Sequence, residues 1–306
     1  MSSQFNQEGG SQTSLAEELR ATTRQRHHAL NAQITPRLPL CLPPIADSPL
    51  VYVKGMIVFG QIYFAFEQFL ETQLACPQLN QRLLQIYEGI HFPWLLRSSQ
   101  LRHDIDALKS DLLRSQIQEL EVLLDESRGF RLRIERSLSA RPHVLLAYTW
   151  TMYLALFNGG RWIRGQLVSA GPEFWRGSTL PLTFWEFRKE GEADVGDERL
   201  KEEFKEGFQG AASILTEEES RNVVEETMKL FDMCLQMVEF LDNKAATSSS
   251  QESFAESPSL AVACQLKDPV VANSTVASLW QYLTSVCSSI KTTTSTALRG
   301  KASSAG

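Results

Sequence analysis

From Val51 to Leu74 the chain reads VYVKGMIVFGQIYFAFEQFLETQL, 24 residues with apolar side chains on nearly every side of a helix. A helix of that kind has to be surrounded. Lys54, Gln61, Glu67, Gln68 and Glu71 interrupt the run, so a buried core helix fits it better than a bilayer span, which needs about 20 mostly apolar residues. Its partners are legible on both sides. Ser14-Leu-Ala-Glu17 is a capping box that opens a first helix, with Leu15, Leu19 and Leu30 along its stripe and Pro36 as its outer limit. After a proline-rich loop and the apolar run come helix-period segments at 81–90, 95–124, 143–168, 198–210 and 216–243. A polar stretch around Gly129 and an aromatic, irregular stretch at 172–188 lie between them. Thr216-Glu-Glu-Glu219 is a second capping box. Period-two alternation and hairpin dipeptides do not stand out. The reading is an all-α chain of seven to nine helices around one core, with a single domain over residues 14–243.

Composition narrows the function. Over 306 residues the net charge is −6 and the pI about 5.5. A nucleic-acid binder would show a basic field, so no nucleic-acid partner is expected. The five cysteines, Cys41, Cys76, Cys234, Cys264 and Cys287, are scattered and contain no CxxC, which argues against a disulfide scaffold or a thiolate zinc site. Residues 1–13 are polar and are expected to be disordered, with no secretory signal. Residues 244–306 are rich in Ser and Thr and poor in charge, and read as a flexible tail.

Two places depart from a plain bundle. In the first helix, Arg20 and His27 are seven residues apart, so they project within about 20° of each other and about 10 Å apart along the axis. An imidazole with a guanidinium two turns before it suits a flat, metal-bearing ligand with anionic edges. A satisfied surface or core histidine is the other reading of His27. The second place is Asn158-Gly159-Gly160, inside a long helical run. Each interior glycine costs about 1 kcal/mol against alanine. The pair suits a kink, or a backbone that something approaches closely. A helix crossing or a simple helix break is the alternative.

With these residues in view, the chain resembles the heme oxygenase family, in a divergent form like that of fungi. Five stretches carry the resemblance, in order, over residues 14–243. They are the first-helix pattern from Leu15 through Arg20 and Thr23 to His27; Gln61-Ile-Tyr63-Phe-Ala-Phe-Glu67; Phe92-Pro93-Trp-Leu-Leu-Arg97; Tyr153-Leu-Ala-Leu-Phe-Asn158-Gly-Gly160; and Lys201-Glu-Glu-Phe-Lys205, followed by Thr216 and Val223-Val-Glu-Glu226.

The resemblance implies a heme oxygenase-like helical bundle with heme as both substrate and cofactor. His27 would be the proximal iron ligand. Asn158, Gly159 and Gly160 would form the distal helix over the other face of the ring. Arg20, Lys201 and Lys205 match the positions that neutralise the propionates, and either Tyr148 or Trp150 matches an aromatic that binds them. The family's distal helix usually reads Gly-Asp-Leu-Ser-Gly-Gly, whereas the same positions here run from Ala155 to Gly160. Leu156 therefore replaces the aspartate that holds the distal water network, which leaves Asn158 and its backbone to order a water. The activity implied is cleavage of heme by O2 to biliverdin, carbon monoxide and iron. Electrons would come from an NADPH-dependent flavoprotein reductase, since the chain has no dinucleotide or flavin motif of its own.

The loss of the aspartate motivates a second expectation: a heme-binding protein, whether carrier, sensor or peroxidase-like, with reduced or lost turnover. A thiaminase-like hydrolase built around Cys234 lacks an adjacent base. His91, His103 and His143 look isolated, and a structural or solvent-facing role suits each better than ligation. In the tail, residues 276–290 are amphipathic, with Leu279, Trp280, Leu283 and Ile290 on one side, and fit a helix lying on a surface better than one crossing a bilayer. Many relatives end in a tail anchor to the endoplasmic reticulum. The expected location is the cytoplasm, with peripheral or tail-anchored association at the cytosolic face of that membrane.

Overall fold

The computed structural model describes residues 14–176, 180–187 and 197–255, with side chains as far as residue 247. Among these the secondary structure is helical throughout, without strands. The helices are α1 (Leu15–Ile34), α2 (Leu50–Leu74), α3 (Gln81–Ile90), α4 (Ser98–Lys109), α5 (Arg114–Ala140), α6 (Leu145–Ala155), α7 (Arg161–Ser169), α8 (Gly171–Trp175), α9 (Asp197–Ala212) and α10 (Glu217–Ala255). A five-residue π-helical turn, Leu156–Gly160, joins α6 to α7. The sequence pattern gave seven to nine helices. The count rises because this turn divides the long run at 143–168 and because the irregular stretch after Gly171 contains the short α8.

Both capping boxes form. The Ser14 hydroxyl accepts from the Glu17 N–H at 3.3 Å while the Glu17 carboxylate accepts from the Ser14 N–H at 3.1 Å. Thr216 and Glu219 repeat the exchange at 3.2 and 2.9 Å. Two boundaries differ from the sequence reading. The segment expected at 95–124 breaks at Ser110–Leu113, and α5 then runs through Gly129 to Ala140. Gly129 costs the helix about 1 kcal/mol. Burial of Leu120, Leu123, Phe130, Ile134 and Leu138 on the same helix outweighs it. At the other end α10 continues past Asn243 to Ala255. Residues 1–13 and the amphipathic stretch at 276–290 lie outside the described residues.

Helix α2 is the centre of the bundle. It lies along α5 and also meets α3, α4 and α6. Val53, Val58, Ile62, Phe66 and Leu70 are fully enclosed. Among the described residues it is the one helix long and apolar enough to cross a membrane, and protein covers two thirds of its most apolar stretch.

One polar group sits inside this core. Glu67 is 1% exposed and accepts from the backbone N–H groups of Arg97 and Ser98 at 2.8 and 2.7 Å, and from the Tyr153 hydroxyl at 3.0 Å. It thereby caps the start of α4 from another helix. The buried Arg97 guanidinium donates to the carbonyls of Leu95, Trp94 and Glu186 and lies 5.0 Å from the centre of the Phe187 ring. Burial raises the Glu67 carboxyl above its ordinary range and lowers the Arg97 guanidinium below its own. On α4, Asp104 does for the segment 183–187 what Glu67 does for α4. It accepts from the Thr183 hydroxyl at 2.7 Å and the Phe184 N–H at 2.8 Å.

Removing one member of a buried ionic group leaves the other uncompensated, at a cost of about 3–5 kcal/mol. Glu67→Ala is expected to lose that much stability, and Tyr153→Phe, which removes one bond to a charged acceptor, about 1.5–3 kcal/mol. Denaturant unfolding of the ligand-free protein measures both, and equal losses would contradict this ordering.

Candidate functional site

His27 sits on the exposed side of α1, two turns beyond Arg20. Its ring meets the edge of buried Phe231 on α10, with centroids 6.2 Å apart at 76°. Its Nδ1 faces the Asn31 side-chain amide at 3.5 Å. An amide offers either a donor or an acceptor, so it can pair with Nδ1 in either tautomer. That leaves Nε2 as the nitrogen open to a ligand. Partial burial, and then the neighbouring His28, hold the His27 imidazole below its ordinary range, which favours the neutral, metal-binding form. Helix α1 is fixed on α10 by Arg26–Asp232 at 3.0 Å, and the stretch just after α1 by Arg37–Asp242 at 2.6 Å.

Arg20 reaches from α1 to α6, where its guanidinium lies 5.5 Å from the centre of the Trp150 ring. Helix α9 packs against α1, α6 and the π turn. It carries Lys201 and Lys205, which pair along their own helix with Glu198 at 3.4 Å and Glu202 at 2.6 Å. The Glu202 carboxyl is held below its ordinary range, first by Lys205 and then, through charge, by Lys201 and Arg20. The charges of all three cations expected from the sequence are therefore felt at Glu202, although Arg20 and Lys205 are far apart in the chain. Such a group fits a ligand with paired carboxylates.

The two aromatic candidates separate. Trp150 stands at this basic group. Tyr148 does not, which corrects the expectation for that residue: its buried hydroxyl donates to Glu226 at 2.5 Å. Glu226 also accepts from Ser137 at 2.5 Å and Arg141 at 2.8 Å. Tyr148 thus belongs to a buried network joining α5, α6 and α10.

The π turn gives Asn158-Gly159-Gly160 its shape. A turn of this kind shifts the register of a helix by one residue and recurs at functional sites. Leu156, Phe157 and Gly160 face inward, while Ala155, Asn158 and Gly159 are exposed. Nothing lies within 4 Å of where a Gly159 Cβ would point. Ala155 and Gly159, one turn apart, leave a nearly bare strip of backbone. Leu156 is 4% exposed and points into the core. The rod α6–α7 thus offers close approach and backbone polarity, but no carboxylate, on its open side.

Other candidates fall away. Burial pushes the Cys234 thiol up to about 12, far from a nucleophile's range. His143 lies 3.8 Å from Glu219, and His103 is exposed. Among the described residues no three His, Cys, Asp or Glu side chains cluster as a metal site. A single histidine with an open opposite face suits a metal that brings its own equatorial ligands, as a porphyrin iron does. The residues present fit that group. Sequence reasoning missed the role of Trp185, which packs behind Gly160. The cluster of aromatics in the irregular stretch was the available signal.

The structure is thus an all-helical bundle with an imidazole on one helix, a bare glycine strip on another and cations on a third. Comparison with known proteins gives the family. The family model for heme oxygenase matches residues 13–240. Heme-binding protein HMX1 of Saccharomyces cerevisiae is 25% identical over 235 residues, covering 71% of this chain and 72% of that protein. Heme oxygenase 2 from Chlamydomonas reinhardtii, solved without heme, has a TM-score of 0.58 at 15% identity, covering 74% of this chain and 97% of its own. Heme oxygenase-1 from the cyanobacterium Synechocystis, solved with heme, has a TM-score of 0.57 at 20% identity over 79% and 99%. These two share the fold. The chain belongs to the heme oxygenase family, and heme is the cofactor that goes with that membership.

Proposed function

We propose that this protein binds heme between α1 and the rod α6–α7 and cleaves it to biliverdin, carbon monoxide and iron, taking electrons from an NADPH-dependent flavoprotein reductase. The seat of Arg20 on Trp150 of α6, beside the helix α9 that carries Lys201 and Lys205 and packs on both α1 and α6, carries this reading. When bound, heme supplies both the iron that activates O2 and the ring that is opened. In this reading neutral His27 ligates through Nε2, and Phe231 and Asn31 orient the imidazole. Arg20, Lys201 and Lys205 bind the propionates, the two lysines exchanging Glu198 and Glu202 for the carboxylates of the ligand, and so fix the rotation of the ring in its slot. Trp150 holds Arg20 in reach. The bare strip at Ala155 and Gly159 allows close approach from the other side, and the Asn158 amide and nearby backbone order water there.

A second reading has its own support in Leu156. An inward-facing alkyl side chain holds no water and moves no proton, which favours a heme binder with weak or absent turnover.

Hemin titration tests the ligand assignments. His27→Ala is expected to lose the Soret band of a histidine-ligated ferric heme, whereas His28→Ala keeps it. Lys201→Gln/Lys205→Gln should weaken hemin binding by at least about tenfold, as loss of charge-assisted bonds implies. Hemin dimethyl ester, which lacks the carboxylates, should bind the wild type and the double variant equally. Equal Soret formation in wild type and His27→Ala would overturn the proximal assignment.

Incubating the heme complex with ascorbate and O2, followed by pigment analysis, separates the two readings. Biliverdin absorbance supports cleavage, and a bleached or unchanged ring supports the binder.

We further propose a cytoplasmic location with peripheral attachment, through the tail, to the cytosolic face of the endoplasmic reticulum. Full-length protein is expected to float with liposomes of endoplasmic-reticulum lipid composition, and a chain ending at Asn243 to stay in the dense fraction. Equal behaviour would exclude the tail as the attachment.

A further inference from the structure

Gly159 and Gly160 are adjacent but meet different surroundings. A Cβ on Gly159 would meet nothing within 4 Å, whereas one on Gly160 would lie 3.3 and 3.4 Å from Cε3 and Cζ3 of the Trp185 ring. Contacts that close are tighter than a packed methyl normally makes, so either the ring or the backbone would have to give.

The ring has little freedom to give. Its indole N–H donates to the Tyr52 hydroxyl at 2.8 Å, and Tyr52 is buried with its ring edge-on to Trp175 at 5.3 Å. On one side of Trp185, Thr183 and Phe184 are fastened to Asp104 at 2.7 and 2.8 Å. On the other side, the Glu186 carbonyl accepts from buried Arg97, and its carboxylate accepts from Arg164 of α7 at 2.6 Å. Phe187 stacks on Phe157 inside the π turn, with centroids 4.4 Å apart at 15°. The segment 183–187 thus grips the rod at the turn and just beyond it, with Trp185 against Gly160.

We infer that Trp185 is a positioning residue for the open face of the site: its ring, seated on Gly160, fixes the π turn Leu156–Gly160 and with it the height at which Asn158 and Gly159 meet a bound ring. The two glycines then divide the work. Gly160 makes room behind the rod for the indole, and Gly159 leaves room in front for the ligand. The statement about the ligand rests on the heme reading above.

Hydrogen exchange in the ligand-free protein tests the backbone half without heme. Trp185→Ala is expected to speed exchange across residues 156–161 by about tenfold while peptides of α2 and α5 keep their rates. Trp185→Phe, which keeps an aromatic ring but loses the indole N–H, gives a smaller change in the same place and guards against general unfolding. Gly160→Ala should speed exchange there too, and should add little on top of Trp185→Ala, because the methyl then has space. Gly159→Ala should leave exchange at the wild-type rate and weaken hemin binding instead.

For the ligand half, the hemin complexes of both Trp185 variants should keep a His27-ligated Soret band. The C–O stretch of the ferrous complex with carbon monoxide, which senses the open face, should shift or broaden. Wild-type exchange across 156–161 in Trp185→Ala overturns the proposal, as does identical behaviour of Gly159→Ala and Gly160→Ala. Failure of the wild type to bind hemin overturns the heme reading and the ligand half together, while the exchange data still judge the role of Trp185 in the π turn.

Discussion

A charged group buried in a helical core has to be answered by donors, and here the answer dictates where the irregular parts of the chain go. Glu67 on the central helix takes the N–H groups of Arg97, just before α4, and of Ser98, its first residue, together with the hydroxyl of Tyr153. Arg97, one residue before α4, is as deeply buried and takes three carbonyl oxygens from two separate stretches. Leaving any of these unpaired costs on the order of 1–3 kcal/mol, more for the charged members. Stretches with no helical ladder of their own are thereby pinned as firmly as helices. Asp104 extends the same device one step further, to Thr183 and Phe184. The chain of support runs from α2 through α4 to the segment that holds Trp185 against Gly160.

The consequence is a site whose two walls hang from different supports. The rod α6–α7 is gripped from behind by the polar node and by aromatic stacking, which leaves the side bearing Ala155, Asn158 and Gly159 bare. Helix α1 is tied to α10 by Arg26–Asp232 and by Phe231 under His27, and the stretch just after α1 by Arg37–Asp242. The surface ion pairs contribute little alone, about 0–1 kcal/mol each. The contact of Arg20 with Trp150 then links the walls directly, and α9 spans both. A ligand that drew Arg20 toward itself would act on the same residue that ties the two helices, so binding and wall spacing are coupled through one side chain.

Much of this was legible in the sequence because it is local. The apolar run from Val51 to Leu74, the two capping boxes and the break at Asn158-Gly-Gly each depend on neighbours a few residues away. The grouping of Arg20, Lys201 and Lys205 is long-range, and it came from resemblance rather than periodicity. What stayed hidden was set by distant partners. Tyr148 is taken by Glu226, 78 residues on, a partner that nothing near it in the chain announces. Gly129 reads as a helix breaker until the buried stripe of α5 is seen to outweigh it. Trp185 sits in a stretch without periodicity, where no pattern could show that its ring faces a glycine.

The π turn also changes what Leu156 means. In the resemblance this position stands where related chains carry an aspartate, so the difference reads as a lost functional group on the open face. In the structure residue 156 points inward, is 4% exposed and belongs to the hydrophobic core. A carboxylate there would enter an apolar setting, where the charged form is strongly disfavoured and the group would stay protonated. To reach the open face it would have to rotate the turn, against the stacking of Phe187 on Phe157 and the seat of Trp185 on Gly160. The alkyl side chain and the π turn are therefore one feature. The polarity left for the open side is that of Asn158 and the backbone around it, and whatever chemistry the protein performs there has to be done with those groups.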